Sequence, residues 1–180
     1  DWELIVVNKW NTIPDGYQTE LTTLSNGKQV DSRIYPALQD LFDAMRADGI
    51  YPIVREGYRT TTDQQSILDD KIKAYEQEGL SSLLAKKMAS EWVAAPGTSE
   101  HQLGIAVDIN ADKTKSTNDE VYTWLAEHAW EYGFILRYPK DKENVTGTGY
   151  EPWHYRYVGK EAAKEIWQEG CCLEEYVTQN

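Results

Sequence analysis

SEHQLGIAVDIN, residues 99–110, places one of the chain's three histidines seven positions before an aspartate. Between them runs an apolar stretch, 103–107, which reads as a short buried strand over about 104–109. Seven is an odd spacing, so a continuous strand would send His101 and Asp108 to opposite faces. They converge only if His101 lies on a turn before the strand. PGTSEH, 96–101, has that turn composition, and Gly104 relieves crowding where the chain re-enters the sheet. YEPWHYRYVG, 150–159, then brings a second histidine, His154, three positions after Glu151. His154 must arrive from a neighbouring strand, and Pro152 disfavours regular pairing and can swing the carboxylate.

Outward from these stretches, 3–7 (ELIVV) and 51–59 read as strands, as do segments near 134–138 and 154–158. The segment from 8 to 31 reads as irregular, with turn signals at Pro14-Asp15-Gly16 and Asn26-Gly27. A helix is expected over about 35–48, because Leu38, Leu41, Phe42 and Met45 form one apolar stripe and Gly49 stops it. Further helices are expected over about 63–77 (cap Thr61 or Thr62), 81–94, the segment after Ser116 or Thr117, and 160–169. On the fourth, His128 falls on the stripe Val121, Trp124, Leu125 and Tyr132, so it reads as packing. Strands and helices do not alternate strictly. The fold class is therefore α+β, a small mostly antiparallel sheet flanked by helices.

The chain has 180 residues, which fits a single domain over 1–180. Its net charge of −12 argues against nucleic acid or an anionic membrane surface as a general partner. No apolar run is long enough to span a bilayer. The start at DWELIVVNKWN, without Met or signal peptide, reads as a mature or truncated fragment. Cys171 and Cys172 are neighbours, which ordinary disulfide geometry excludes from bridging each other. Both are expected free, one packed and one partly exposed.

Catalytic zinc takes three protein ligands and leaves one position open. His101, Asp108 and His154 are candidates for that set, and Glu151 for the base beside a metal-activated water. Arg59, in EGYRTT at a strand exit, can hold a developing oxyanion or grip a substrate carboxylate. Spacing alone leaves each residue a plainer role. His101 could be a surface turn histidine, Arg59 could pair with a surface carboxylate, Glu151 could be a solvated edge residue, and Ser99 could be a turn hydroxyl.

Ser99, His101, Gly104, Ala106 and Asp108 match the S-x-H-x-x-G-x-A-x-D pattern of the VanY-type zinc D,D-carboxypeptidases. Glu151, Trp153 and His154 match their E-x-W-H pattern, and GYR at 57–59 their arginine segment. The chain thus resembles that family over nearly its whole length. The resemblance implies Zn²⁺ held by His101, Asp108 and His154, Glu151 as catalytic base, and Arg59 as stabiliser of the carbonyl oxygen. It also implies Ser99, Gln64 and Trp153 as substrate-binding residues, and the α+β fold shared with the zinc domain of Hedgehog proteins. The implied activity is removal of the terminal D-alanine from peptidoglycan stem peptides ending in D-Ala-D-Ala, which would contribute to vancomycin resistance. The implied location is the extracellular face of a bacterial envelope, anchored through an N-terminal segment absent from this sequence. Rival readings are an L,D-carboxypeptidase trimming tetrapeptide stems, a dipeptidase, and a catalytically silent wall-binding module with structural zinc.

Overall fold

The computed structural model describes residues 1–179. A hairpin of β1 (Leu21–Thr23) and β2 (Gln29–Asp31) precedes helix α1 (Tyr35–Ala47). Strand β3 (Pro52–Glu56) leads to the helix pair α2 (Thr61–Gln77) and α3 (Ser82–Trp92). A 3₁₀ turn, Glu100–Leu103, delivers the chain into β4 (Ala106–Ala111), which is followed by α4 (Asn118–His128). Then come β5 (Phe134–Leu136), the short α5 (Glu143–Thr146), β6 (His154–Tyr157), α6 (Lys160–Glu169) and α7 (Leu173–Gln179). The main sheet has the order β3-β4-β6-β5 with every neighbouring pair antiparallel.

The α1 stripe predicted from spacing, Leu38, Leu41, Phe42 and Met45, is buried against β3 and β4 residues such as Val54 and Ile109. Helix α2 is capped one residue before the first of the two expected cap positions. Thr60 is the cap, and its hydroxyl accepts from the Asp63 amide while the Asp63 side chain accepts from the Thr60 amide. This reciprocal pair satisfies two otherwise orphaned donors. Thr117 and Glu120 do the same for α4. A second apolar cluster packs Ala163 and Ile166 of α6 and Leu173 and Tyr176 of α7 against Ile135.

Three expectations are corrected. Residues 3–7 form no strand: Trp2–Leu4 is a 3₁₀ turn, and the apolar side chains pack by burial alone, Val7 fully so. The 8–31 segment is not wholly irregular, because the Asn26-Gly27 signal is the turn of the β1–β2 hairpin, with Gly27 at φ 87°. His128 does not pack in the core; it lies on the surface between Glu127 and Glu131, tilted against Trp124. Its contacts to these two glutamates hold the ring at the surface rather than in the core. The final helix, α7, was not anticipated.

Gly57 closes the seam between hairpin and sheet. The Tyr58 amide donates to the Gln29 carbonyl at 2.7 Å, and a Cβ at 57 would drive into that same oxygen. Backbone cannot rotate out of the way as a side chain can. Gly57→Ala is therefore expected to destabilise the fold by about 1–3 kcal/mol, the range for overpacking. A urea midpoint equal to that of the parent would refute this close approach.

Candidate active site

The site is built by register. In the β4–β6 pair Asp108 lies opposite His154. His154 is the first residue of β6, and Glu151 and Trp153 precede it in a non-strand turn. His101 lies in the 3₁₀ turn that Gly104 terminates at φ 81°, a left-handed conformation glycine adopts without penalty. The odd spacing is thus resolved as the sequence required: His101 leaves the strand direction before β4 begins. Arg59 follows β3, and its amide donates to the His101 carbonyl at 3.2 Å. Arg59, Gln64, Ser99, His101, Asp108, Glu151, Trp153 and His154 all line one cleft of about 470 Å³.

Each imidazole is held by one ring nitrogen, which leaves the other for the cleft. His101 Nδ1 donates to the Gly57 carbonyl at 2.9 Å. His154 Nε2 donates to Glu100 Oε1 at 2.8 Å. A carbonyl and a carboxylate can only accept, so these contacts choose the tautomer. The remaining nitrogens, His101 Nε2 and His154 Nδ1, lie 3.3 and 3.1 Å from Asp108 Oδ1. That oxygen is buried yet has no hydrogen-bond partner. In a tetrahedral zinc site with ligands about 2.0–2.1 Å from the ion, neighbouring ligand atoms are about 3.3 Å apart. Both imidazole nitrogens stand at about that spacing from the orphaned carboxylate oxygen, and the three ligand atoms lie within 4.8 Å of one another, which suits a divalent ion of this type.

Electrostatics agree. Burial works against the charged form of Asp108, but His101 and His154 outweigh it and hold the carboxyl far below its ordinary range. Burial likewise opposes charge on His154, yet Asp108 and Glu100 push its pKa up to about 10. Without an ion the cluster therefore retains a proton, which a binding cation must displace.

Glu151 Oε1 lies 3.7 Å from His154 Nδ1. Burial raises its carboxyl above the usual value; His154 opposes this, and Asp108 and Glu100 add to it. Arg59 reaches Glu56 Oε2 and Gln64 Oε1, both at 3.3 Å, while its Nε is buried without a partner. The plainer reading of Arg59 as an ion-pairing residue is thus partly realised, with one donor left over. Gln64 is buried, and its Nε2 donates to the Ala94 carbonyl at 2.8 Å, so it fastens Arg59 to the chain after α3.

Sequence reasoning missed Glu100, Arg137 and Arg156, whose side chains have no solvent exposure. The available signal was a charged residue inside each of the apolar strands ILRY and HYRYV, which must find a buried partner. It also missed Asn8, Lys9 and Tyr138 as cleft residues. Tyr138 stacks beside His154 with ring centroids 4.7 Å apart.

A family model of VanY D-alanyl-D-alanine carboxypeptidase matches residues 27–160. A D-alanyl-D-alanine carboxypeptidase of Enterococcus faecalis (strain ATCC 700802 / V583) is 60% identical over 177 residues, which is 98% of this chain and 66% of that protein. A mutant of the vancomycin resistance D,D-pentapeptidase VanY from a VanB-type cassette, in complex with Zn(II), superposes with a TM-score of 0.94. It is 60% identical, and the match covers 98% of this chain and 99% of that one. VanYB in complex with D-alanine-D-alanine gives the same TM-score and identity, covering 99% and 98%. With the metal triad, the glutamate and the arginine brought to one cleft, this chain belongs to the VanY family of D-alanyl-D-alanine carboxypeptidases.

Proposed function

We propose that the protein is a zinc-dependent D,D-carboxypeptidase that removes the C-terminal D-alanine from peptidoglycan stem peptides ending in D-Ala-D-Ala. The observation that carries this reading is the meeting of His101 Nε2 and His154 Nδ1 on the unpartnered Asp108 Oδ1, with the Glu151 carboxylate beside them. The zinc and dipeptide complexes of the similar VanY structures support the same metal and substrate class here. Stripping the D-Ala terminus removes the group vancomycin binds, so the activity would contribute to resistance. Such work belongs on the outer face of the envelope. No helix among the described residues is long and apolar enough to cross a membrane.

His101, Asp108 and His154 would hold the ion. Bound Zn²⁺ would supply Lewis acidity, lowering the pKa of a water and polarising a carbonyl. Glu151 takes a proton from the attacking water and gives it to the leaving amine nitrogen as the C–N bond breaks. Its position in a half-closed cleft, with a carboxyl already pushed upward, suits a group that must accept and then release a proton. Arg59 lines the same cleft, and its guanidinium would donate to the oxygen on which negative charge develops. Its guanidinium is held on two sides by Glu56 and Gln64, so little reorganisation accompanies that step. Ser99, Gln64 and Trp153 line the same cleft and would be substrate contacts.

Incubation with a pentapeptide stem should release one D-alanine, read by mass spectrometry. Cleavage of the tetrapeptide stem alone would assign the protein as an L,D-carboxypeptidase instead, and turnover of free D-Ala-D-Ala alone would make it a dipeptidase. Glu151→Ala should retain zinc and lower kcat by about 10²–10⁴-fold, the usual contribution of a general base. Undiminished turnover would remove Glu151 from the mechanism. Arg59→Ala should lower kcat by about 10²–10³-fold with a smaller change in KM. An effect confined to KM would reassign Arg59 to gripping the terminal carboxylate.

A further inference from the structure

Behind His154 lies a chain of buried charges that reaches the C-terminal helix. Glu100 Oε1 accepts from His154, and Glu100 Oε2 accepts from Arg137 Nε at 2.8 Å and Arg156 Nη1 at 3.0 Å. The other two nitrogens of Arg137 form a two-pronged contact with Glu174 of α7, Nη1 to Oε1 and Nη2 to Oε2, both at 2.8 Å. Asn8 Nδ2 donates to Glu174 Oε2 at 3.0 Å, and Arg156 Nη2 donates to the Glu3 carbonyl at 2.8 Å. Glu3, Asn8 and Glu174 all lie outside residues 27–160, the stretch that matches the family model.

Two guanidiniums and two carboxylates balance when His154 is neutral, its form as a metal ligand. Without Glu174, Arg137 would place an uncompensated positive charge beside Glu100. The Glu100 carboxylate would be drawn toward two guanidiniums, and its grip on His154 Nε2 would loosen. A weaker acceptor on one ring nitrogen makes the other a poorer donor to a cation. The added positive charge would oppose a divalent ion directly, in a region too dry to screen it.

We propose that Glu174, on the C-terminal helix, is a positioning residue for the metal site, acting through Arg137 and Glu100 on His154. The inference rests on the reading of His101, Asp108 and His154 as zinc ligands. It makes the affinity of the cleft for its ion depend on a charge carried by the C-terminal helix.

Zinc affinity is measured on the ion-free protein by competition with a chromophoric chelator, alongside the melting temperature of that ion-free protein. Glu174→Gln keeps the shape and removes the charge; its zinc affinity should fall about tenfold, the low end for residues behind a ligand. Glu100→Gln should fall further, toward about a hundredfold. The double variant should fall less than the product of the two, because both act through one path. Leu173→Ala loosens the same helix without touching the charge chain, so it should lower the melting temperature and leave zinc affinity unchanged. Arg137→Lys tests the link from its other side, since an ammonium cannot bridge Glu100 and Glu174 as the planar fork does. It decides the matter if Glu174→Gln does not fold, and parent-like zinc affinity in it overturns the proposal. So does parent-like affinity in Glu174→Gln, or an equal loss in Leu173→Ala. A parent protein that binds no zinc would sink the metal-site reading itself and this inference with it.

Discussion

One carboxylate with no solvent exposure joins the core of this protein to its cleft. Glu100 accepts from an imidazole and two guanidiniums, and all three donors are themselves buried. Burial alone would push its carboxyl up, but Arg137 first, then His154 and Arg156, hold it far below the ordinary range. A charge in that position is tolerable only while every partner stays in place, since an uncompensated ion in a dry interior is strongly destabilising. The cluster therefore constrains geometry as well as stability. It pins Arg137 just after β5, Arg156 of β6, the 3₁₀ turn that carries His101, and the ring of His154 to a common centre. Replacing one member leaves the others unsatisfied.

The sheet converts this constraint into a site. β4 and β6 pair antiparallel with Asp108 opposite His154, so one ligand from each strand faces the cleft at the same level. A slip of one residue would turn His154 to the other face. The slip is resisted on both faces at once: Tyr155 is buried in the main core, while Arg156 is committed to Glu100. The third ligand needs no strand. The Gly104 turn lifts His101 over the entrance of β4, and the Gly57 carbonyl holds its ring, so the β3–α2 loop that bears Arg59 is tied to the same point.

The parts legible in the sequence were those with local causes. Helix α6 is found at 160–169 as expected, and α1 ends close to the stop signalled by Gly49. The His101–Asp108 spacing carried its own solution, because an odd interval in front of a glycine demands a turn. What was not legible depends on partners distant in sequence. The strand expected at 3–7 has apolar composition but no sheet edge to pair with, and its residues serve as packing. Glu100 reads as an ordinary turn residue until Arg137 and Arg156 are seen to converge on it from strands 37 and 56 positions away. His128 has the spacing of a core residue, and only its acidic neighbours turn it outward. The cysteines behave as composition suggested: both are free, Cys172 buried and Cys171 partly so.

A chain with a net charge of −12 has to receive, in the proposed reaction, a peptide that ends in a carboxylate. Long-range attraction cannot bring it in, but at physiological salt the relevant field extends only about 8 Å. Within that distance the balance differs from that of the whole molecule. Asp108 is committed to the imidazoles, and the Glu56 charge is shared with Arg59, which lines the cleft. The cation that the triad is built to hold would tip this balance to positive on the side where the carbonyl and the terminal carboxylate must lie. Glu151, 3.7 Å from His154, is the cleft carboxylate that burial pushes toward accepting a proton. The same separation of charge thus serves binding and chemistry. Under the proposed reading the ionised Asp108 serves the metal and Glu151 moves the proton.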